Sequence, residues 1–78
     1  MIKAEHLNSN KDIEKCNIGD IIIILYKNGK MLSNVISKKC KDNLIVKSFS
    51  HDNYIGEEIL IDLEYNDHIS EIVRIHNE

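Results

Sequence analysis

Cys40 stands in the run Lys38-Lys39-Cys40-Lys41, and three neighbouring cations favour a thiolate over a thiol. Nucleophilic catalysis also needs a general base and an oxyanion site. Neither is encoded nearby, so Cys40 reads as a bystander beside a turn. Carboxylates pair as Glu57-Glu58 and as Asp62 with Glu64. Strand alternation would set Asp62 and Glu64 on one side, but acid–base work requires a cleft that separates two pKa values, and a solvated strand face has none. The other metal-binding types are Cys16, His6, His51, His68 and His76, without CxxC, HxxxH or a short Cys-His spacing to form a half-site. The glycines at 19, 29 and 56 are isolated, so no phosphate-cradling loop is present. The expectation is a protein without catalytic residues, metal or cofactor.

Binding chemistry remains, and three residue sets can supply it. The first suits a protein partner: an apolar set of Ile22, Ile24 and Tyr26, with the acids Glu58, Asp62 and Glu64. The second is a lysine stripe for nucleic acid, made of Lys27, Lys30, Lys38, Lys39, Lys41 and Lys47. The third is aromatic: Tyr26, Phe49 and Tyr54 fall where strands meet loops, and converging rings with Asp52 as counter-charge would cage a small cation. The bland alternative is that Tyr26 and Phe49 plug the end of a barrel.

Five apolar runs must position these residues. Ile21–Tyr26 is apolar throughout, so it is covered on both faces or keeps one face for a partner. Lys27-Asn28-Gly29-Lys30 predicts a tight hairpin with a two-residue type I′ turn. Met31–Lys38 is the return strand, Lys41-Asp42-Asn43 the second turn, and Leu44–Phe49 the third strand. After a loop over 50–56, residues 59–65 alternate cleanly, Asn66-Asp67 turns the chain, and Ile69–His76 completes the set. Turn centres near 28, 42, 53 and 66 have the rhythm of a small all-β domain. Ile23, Leu25, Val46, Ile61, Leu63 and Val73 are the expected core.

The opening IGDIIIILYKNGK, its hairpin partner and five short strands resemble the SH3-like small-barrel superfold, in the broad sense that includes Tudor-like and Sm-like domains. The tight Asn28-Gly29 hairpin looks more like Tudor or Sm members than a true SH3 domain. LYKNGKMLSNVISKKCKDNLIVKSF resembles an Sm first motif, although no Arg-Gly pair follows in the later strands. The resemblance implies a five-stranded antiparallel barrel over residues 18–78. It would bring the Tyr26, Phe49 and Tyr54 loops to one rim, as in a Tudor-type cage. Residues 1–17 form an arm or short helical turn, with Asn8 or Ser9 capping, Asp12 at the right spacing, and Ile13 and Cys16 on one face.

A chain of 78 residues makes one domain and buries about 60–65% of its unfolded surface. Charge is split along it. Residues 18–50 carry six lysines against Asp20 and Asp42, whereas 51–78 carry eight acids against Arg74 alone. One arginine and an overall charge of −3 argue against strong phosphate affinity. The longest apolar run is far short of the ~20 residues that cross a bilayer. The N-terminus lacks the apolar core of a signal peptide, so a cytoplasmic location with reduced Cys16 and Cys40 is expected. Ile, Asn and Lys dominate, as in AT-rich coding genomes. With the small size, this suggests a regulatory or inhibitory protein of a phage or mobile element, acting on a protein partner. Because the first strand is apolar on both faces, either the arm covers it through Leu7 and Ile13, or a second copy does. The polar arm has few apolar groups, which favours a homodimer.

Overall fold

A computed structural model describes residues 1–49 and 56–77. Its strands are β1 (Ile2–His6), β2 (Ile21–Tyr26), β3 (Met31–Lys39), β4 (Leu44–Ser48), β5 (Glu58–Ile61) and β6 (Ile69–Asn77). A 3-10 turn over Asn10–Lys15 joins β1 to β2. All neighbours are antiparallel in one sheet of order β1-β6-β2-β3-β4-β5. The five expected strands are present, but among the described residues the count is six and the sheet is open. The sixth strand comes from the arm. IKAEH shows no apolar alternation because β1 is an edge strand held by its ladder to β6, with its side chains mostly exposed. Among the described residues, no helix is long and apolar enough to cross a membrane.

The rest of the arm folds as its capping signal indicates. Asp12 Oδ2 accepts the backbone N–H of Asn8 at 2.8 Å and of Ser9 at 3.2 Å. That fixes the turn and drives Ile13 and Cys16 together into the core. Leu7 is buried as well, in one cluster with Ile22 and Ile24. The arm therefore covers β2, and the argument for a second copy to do so falls away.

The hairpin at Asn28-Gly29 exists, but its turn is not type I′, which needs positive φ at both central residues. Gly29 alone has it, at +90°. Gly29 N–H donates to Tyr26 O, Tyr26 N–H to Lys30 O, and Lys30 N–H to Asn28 Oδ1. This is a three-residue loop in which a type I turn is followed by a left-handed glycine. β5 also ends earlier than the alternation suggested. Asp62 Oδ1 accepts the N–H groups of Glu64 and Tyr65 at 2.8 and 3.0 Å, turning the chain after Ile61.

The core lies on one face of the sheet. Val46, Ile61 and Leu63 are buried as expected, but Ile23, Leu25 and Val73 lie half-buried on the other face. Ile22, Ile24 and Ile72 take their place inside. The phase follows from Arg74, which is itself buried: Glu5, Arg74, Ile22, Asn34 and Ser48 form one inward row across five strands. An arginine expected to face solvent would put Val73 inside, whereas an inward Arg74 puts Ile72 there.

Candidate binding site

Tyr26 ends β2 at a register shift between Leu25 and Tyr26, opposite Ile69. Its half-buried ring packs against the core, and three adjoining cavities share it as a wall. The largest, ≈ 450 Å³, lies between the β2–β3 hairpin and the start of β5, with Lys30, Leu32, Glu57 and Ile59 in its lining. A second, ≈ 280 Å³, runs along β5 through Leu60, Ile61 and Asp62 to Tyr65 and Ile69. A third, ≈ 310 Å³, lies between Lys27 and the Asp67-His68 turn, which Lys27 N–H ties down by donating to His68 O at 2.9 Å. Together they make a groove along the seam where the sheet does not close. β5 borders it and, among the described residues, pairs only with β4.

The acids beside the groove are placed differently from the sequence reading. Glu58 is exposed on β5, 3.7 Å from Lys47 across the strand pair. Asp62 is half-buried and holds the turn, and Asn66 Nδ2 donates to its carbonyl oxygen. Glu64 lies past the turn, not one pleat along a strand, and accepts from Asn10 N and Nδ2 at 3.2 and 3.3 Å. Of the apolar set, only Tyr26 reaches the groove. Ile22 and Ile24 are fully buried in the core and present no surface to a partner. Their outward-facing neighbours are Ile21, Ile23 and Leu25.

Of the aromatic set, Tyr26 alone is placed at the groove among the described residues. Phe49 is exposed and does not line the groove, and Tyr54, with His51 and Asp52, lies outside the described residues. Tyr65, which closes the alternating 59–65 run but belongs to none of the three expected residue sets, joins Tyr26 instead. It is 82% exposed, and only the turn after β5, which Asp62 builds, could have signalled its place.

The lysines divide along the nine-residue β3. Lys27 and Lys30 flank one end, and Lys38, Lys39 and Lys41 the other, roughly 27 Å away. All are exposed, as is Lys47 midway on β4.

Arg74, the chain's sole arginine, is unavailable to phosphate. Its Nε donates to Asp20 Oδ2 at 2.7 Å and its Nη1 to Glu5 Oε1 at 2.6 Å. Burial favours loss of the guanidinium charge, but the two carboxylates outweigh it and raise the pKa. Burial likewise pushes Asp20 up, and the Asn17 N–H with Arg74 reverses this, holding Asp20 below its usual value. Cys16 is fully buried nearby and its thiol is pushed up chiefly by that burial. Both cysteines are free. No cluster of three or more His, Cys, Asp or Glu suited to a metal ion occurs among the described residues.

Comparison with protein-family models, with curated proteins and with solved structures finds no match to the chain.

Proposed function

We propose that this chain is a non-catalytic protein-binding module whose contact surface is the groove around Tyr26 and the adjoining edge of β5. The observation that carries this reading is a single half-buried aromatic shared by three cavities. It stands beside exposed Leu60 and Tyr65 and a strand that, among the described residues, has a strand partner on one side only. Aromatic anchors in an apolar depression with a polar surround are the usual centre of a protein contact. A regulatory or inhibitory role in a phage or mobile element extends the reading on composition and size alone. The strand order β6-β2-β3-β4-β5 supports a small-barrel relationship, with β1 added at its margin.

Nucleic-acid binding is the weaker reading, because the lysines sit at two separated ends and the arginine is engaged internally. Affinity capture from a related host lysate separates the two. The wild-type bait should retain a protein that Leu60→Asp and Tyr65→Asp baits lose. Recovery of nucleic acid alone, unaffected by those changes but lost with the lysines, would overturn the proposal.

A further inference from the structure

The side of β5 facing away from β4 is a row of backbone donors and acceptors without a strand partner among the described residues. It borders the apolar seam containing Tyr26, Tyr65 and Ile69. Long apolar edges invite pairing with any extended chain unless charge guards them. Here the guard has a definite pattern. Glu58 and Leu60 are exposed on the outer face of β5, Asp62 follows in the same phase just past its last residue, half-buried at the turn, and Ile59 and Ile61 turn toward the core. A second copy pairing antiparallel about Leu60 would set Glu58 against Asp62 twice, and like charges directly opposite are destabilising. Self-association through this edge is therefore disfavoured.

Resting on the reading of the chain as a protein-binding module, we propose that the edge of β5 takes an extended peptide as a seventh strand. Its central five residues read basic–apolar–apolar–apolar–basic. The basic residues face Glu58 and Asp62, the middle apolar residue faces Leu60, and the two flanking ones point with Ile59 and Ile61 into the seam. The motif is the same in both directions, so it holds for parallel and antiparallel addition. Glu58 is open to exchange, since its pair with Lys47 spans 3.7 Å between two half-exposed side chains and is worth little. Asp62 commits Oδ1 to the turn, leaving Oδ2 without a bond among the described residues. Backbone bonds would give the affinity and the alternating side chains the selectivity.

The test uses the full chain and fluorescein-labelled synthetic peptides with the cores Lys-Val-Leu-Val-Lys and Glu-Val-Leu-Val-Glu, read by fluorescence anisotropy. The basic peptide should bind about tenfold or more tightly than the acidic one at low salt, and the gap should narrow as salt rises. N-methylation at alternate residues should abolish binding in one phase and be tolerated in the other, because an added strand directs only every second N–H at its neighbour. Glu58→Lys should shift preference toward a peptide with one acidic end. Equal binding of both peptides, or tolerance of N-methylation in both phases, overturns the inference. If the basic peptide fails while lysate capture still depends on Leu60 and Tyr65, this inference falls and the module reading stands. If capture fails as well, both fall.

Discussion

Arg74 Nε donates to Asp20 Oδ2 at 2.7 Å from a side chain only 7% exposed. The two residues lie 54 positions apart, at the entrance to β2 and well inside β6. Their pairing, with Glu5 from β1 at the second nitrogen, fastens three adjacent strands at one point. It also settles which face of β6 is inside.

Breaking this group should be costly, because one partner removed leaves a buried charge uncompensated. Arg74→Ala is expected to lose about 3–5 kcal/mol in urea unfolding, a large share of a small domain's stability. Arg74→Met combined with Asp20→Asn and Glu5→Gln should recover much of it, since no charge of the group is then left buried without its counter-charge. A single variant near wild-type stability would show the pair to be effectively solvated.

Acid sensitivity should come from Asp12 and Asp20, whose pKa values lie below the ordinary 3.8. For Asp12 the leading cause is the Asn8 N–H. For Asp20, burial opposes the lowering but is outweighed by the Asn17 N–H and Arg74. A carboxyl with a depressed folded pKa takes up protons more readily in the unfolded chain. Its contribution is complete above the unfolded pKa and is lost as pH falls through the folded one. The urea midpoint should thus decline below about pH 4. Asp12→Asn should start lower and decline less steeply; an unchanged slope would assign the acid limb to other groups.

Asn34 Oδ1 and Ser48 Oγ are buried on facing strands without a hydrogen-bond partner among the described residues. Asn34 Nδ2 makes only long bonds, to Ile22 O at 3.4 Å and Leu32 O at 3.2 Å. Unsatisfied buried polar atoms cost about 1–3 kcal/mol each, and replacing both by apolar groups removes that cost. Asn34→Val with Ser48→Ala should therefore match or exceed wild type in thermal melting. A marked loss would show that the pair is satisfied in solution.

Much of this architecture is written in local sequence. The Asn28-Gly29 hairpin, the Ser9–Asp12 capping signal with its Ile13/Cys16 face, and the inward Ile61 and Leu63 depend on near neighbours. The phase of β2 is not local, because IIIILY is apolar at every position and alternation has nothing to mark. The register against β6 decides it, through an arginine whose partners are 54 and 69 residues away. β1 was invisible for a related reason: an edge strand held by backbone bonds needs no apolar pattern. At the groove, Tyr26 was legible as an aromatic at a strand end. The place of Tyr65, and the side of β5 without a strand partner among the described residues, depend on where the sheet ends, which no short window encodes.

Thiol reactivity should split cleanly between the two cysteines. Cys16 is fully enclosed and its pKa raised by burial, while Cys40 is partly open beside the β3–β4 turn. Ellman's reagent at neutral pH should modify one thiol in the native protein and both in denaturant. In Cys40→Ser the native reaction should vanish. Rapid modification of Cys16 without denaturant would mean that the arm opens readily.

The arm is the last element to test, since Leu7, Ile13 and Cys16 now do what a second copy might have done. Ile24 is fully buried against them, so Ile24→Glu should unfold the chain, as an unpaired carboxylate cannot stay in that core. A folded monomer from this variant would instead mark β2 as a dimer interface. Ile61→Ala, also in the core, should cost about 2–4 kcal/mol without changing mass. Deleting residues 1–17 removes three core side chains and Glu5 from Arg74, and should abolish cooperative melting by circular dichroism. Wild-type protein in sedimentation equilibrium at micromolar concentration should weigh 9.0 kDa. A mass twice that would place the contact elsewhere, on the outward Ile21, Ile23 and Leu25, and Ile23→Glu would then restore the monomer while leaving the fold intact.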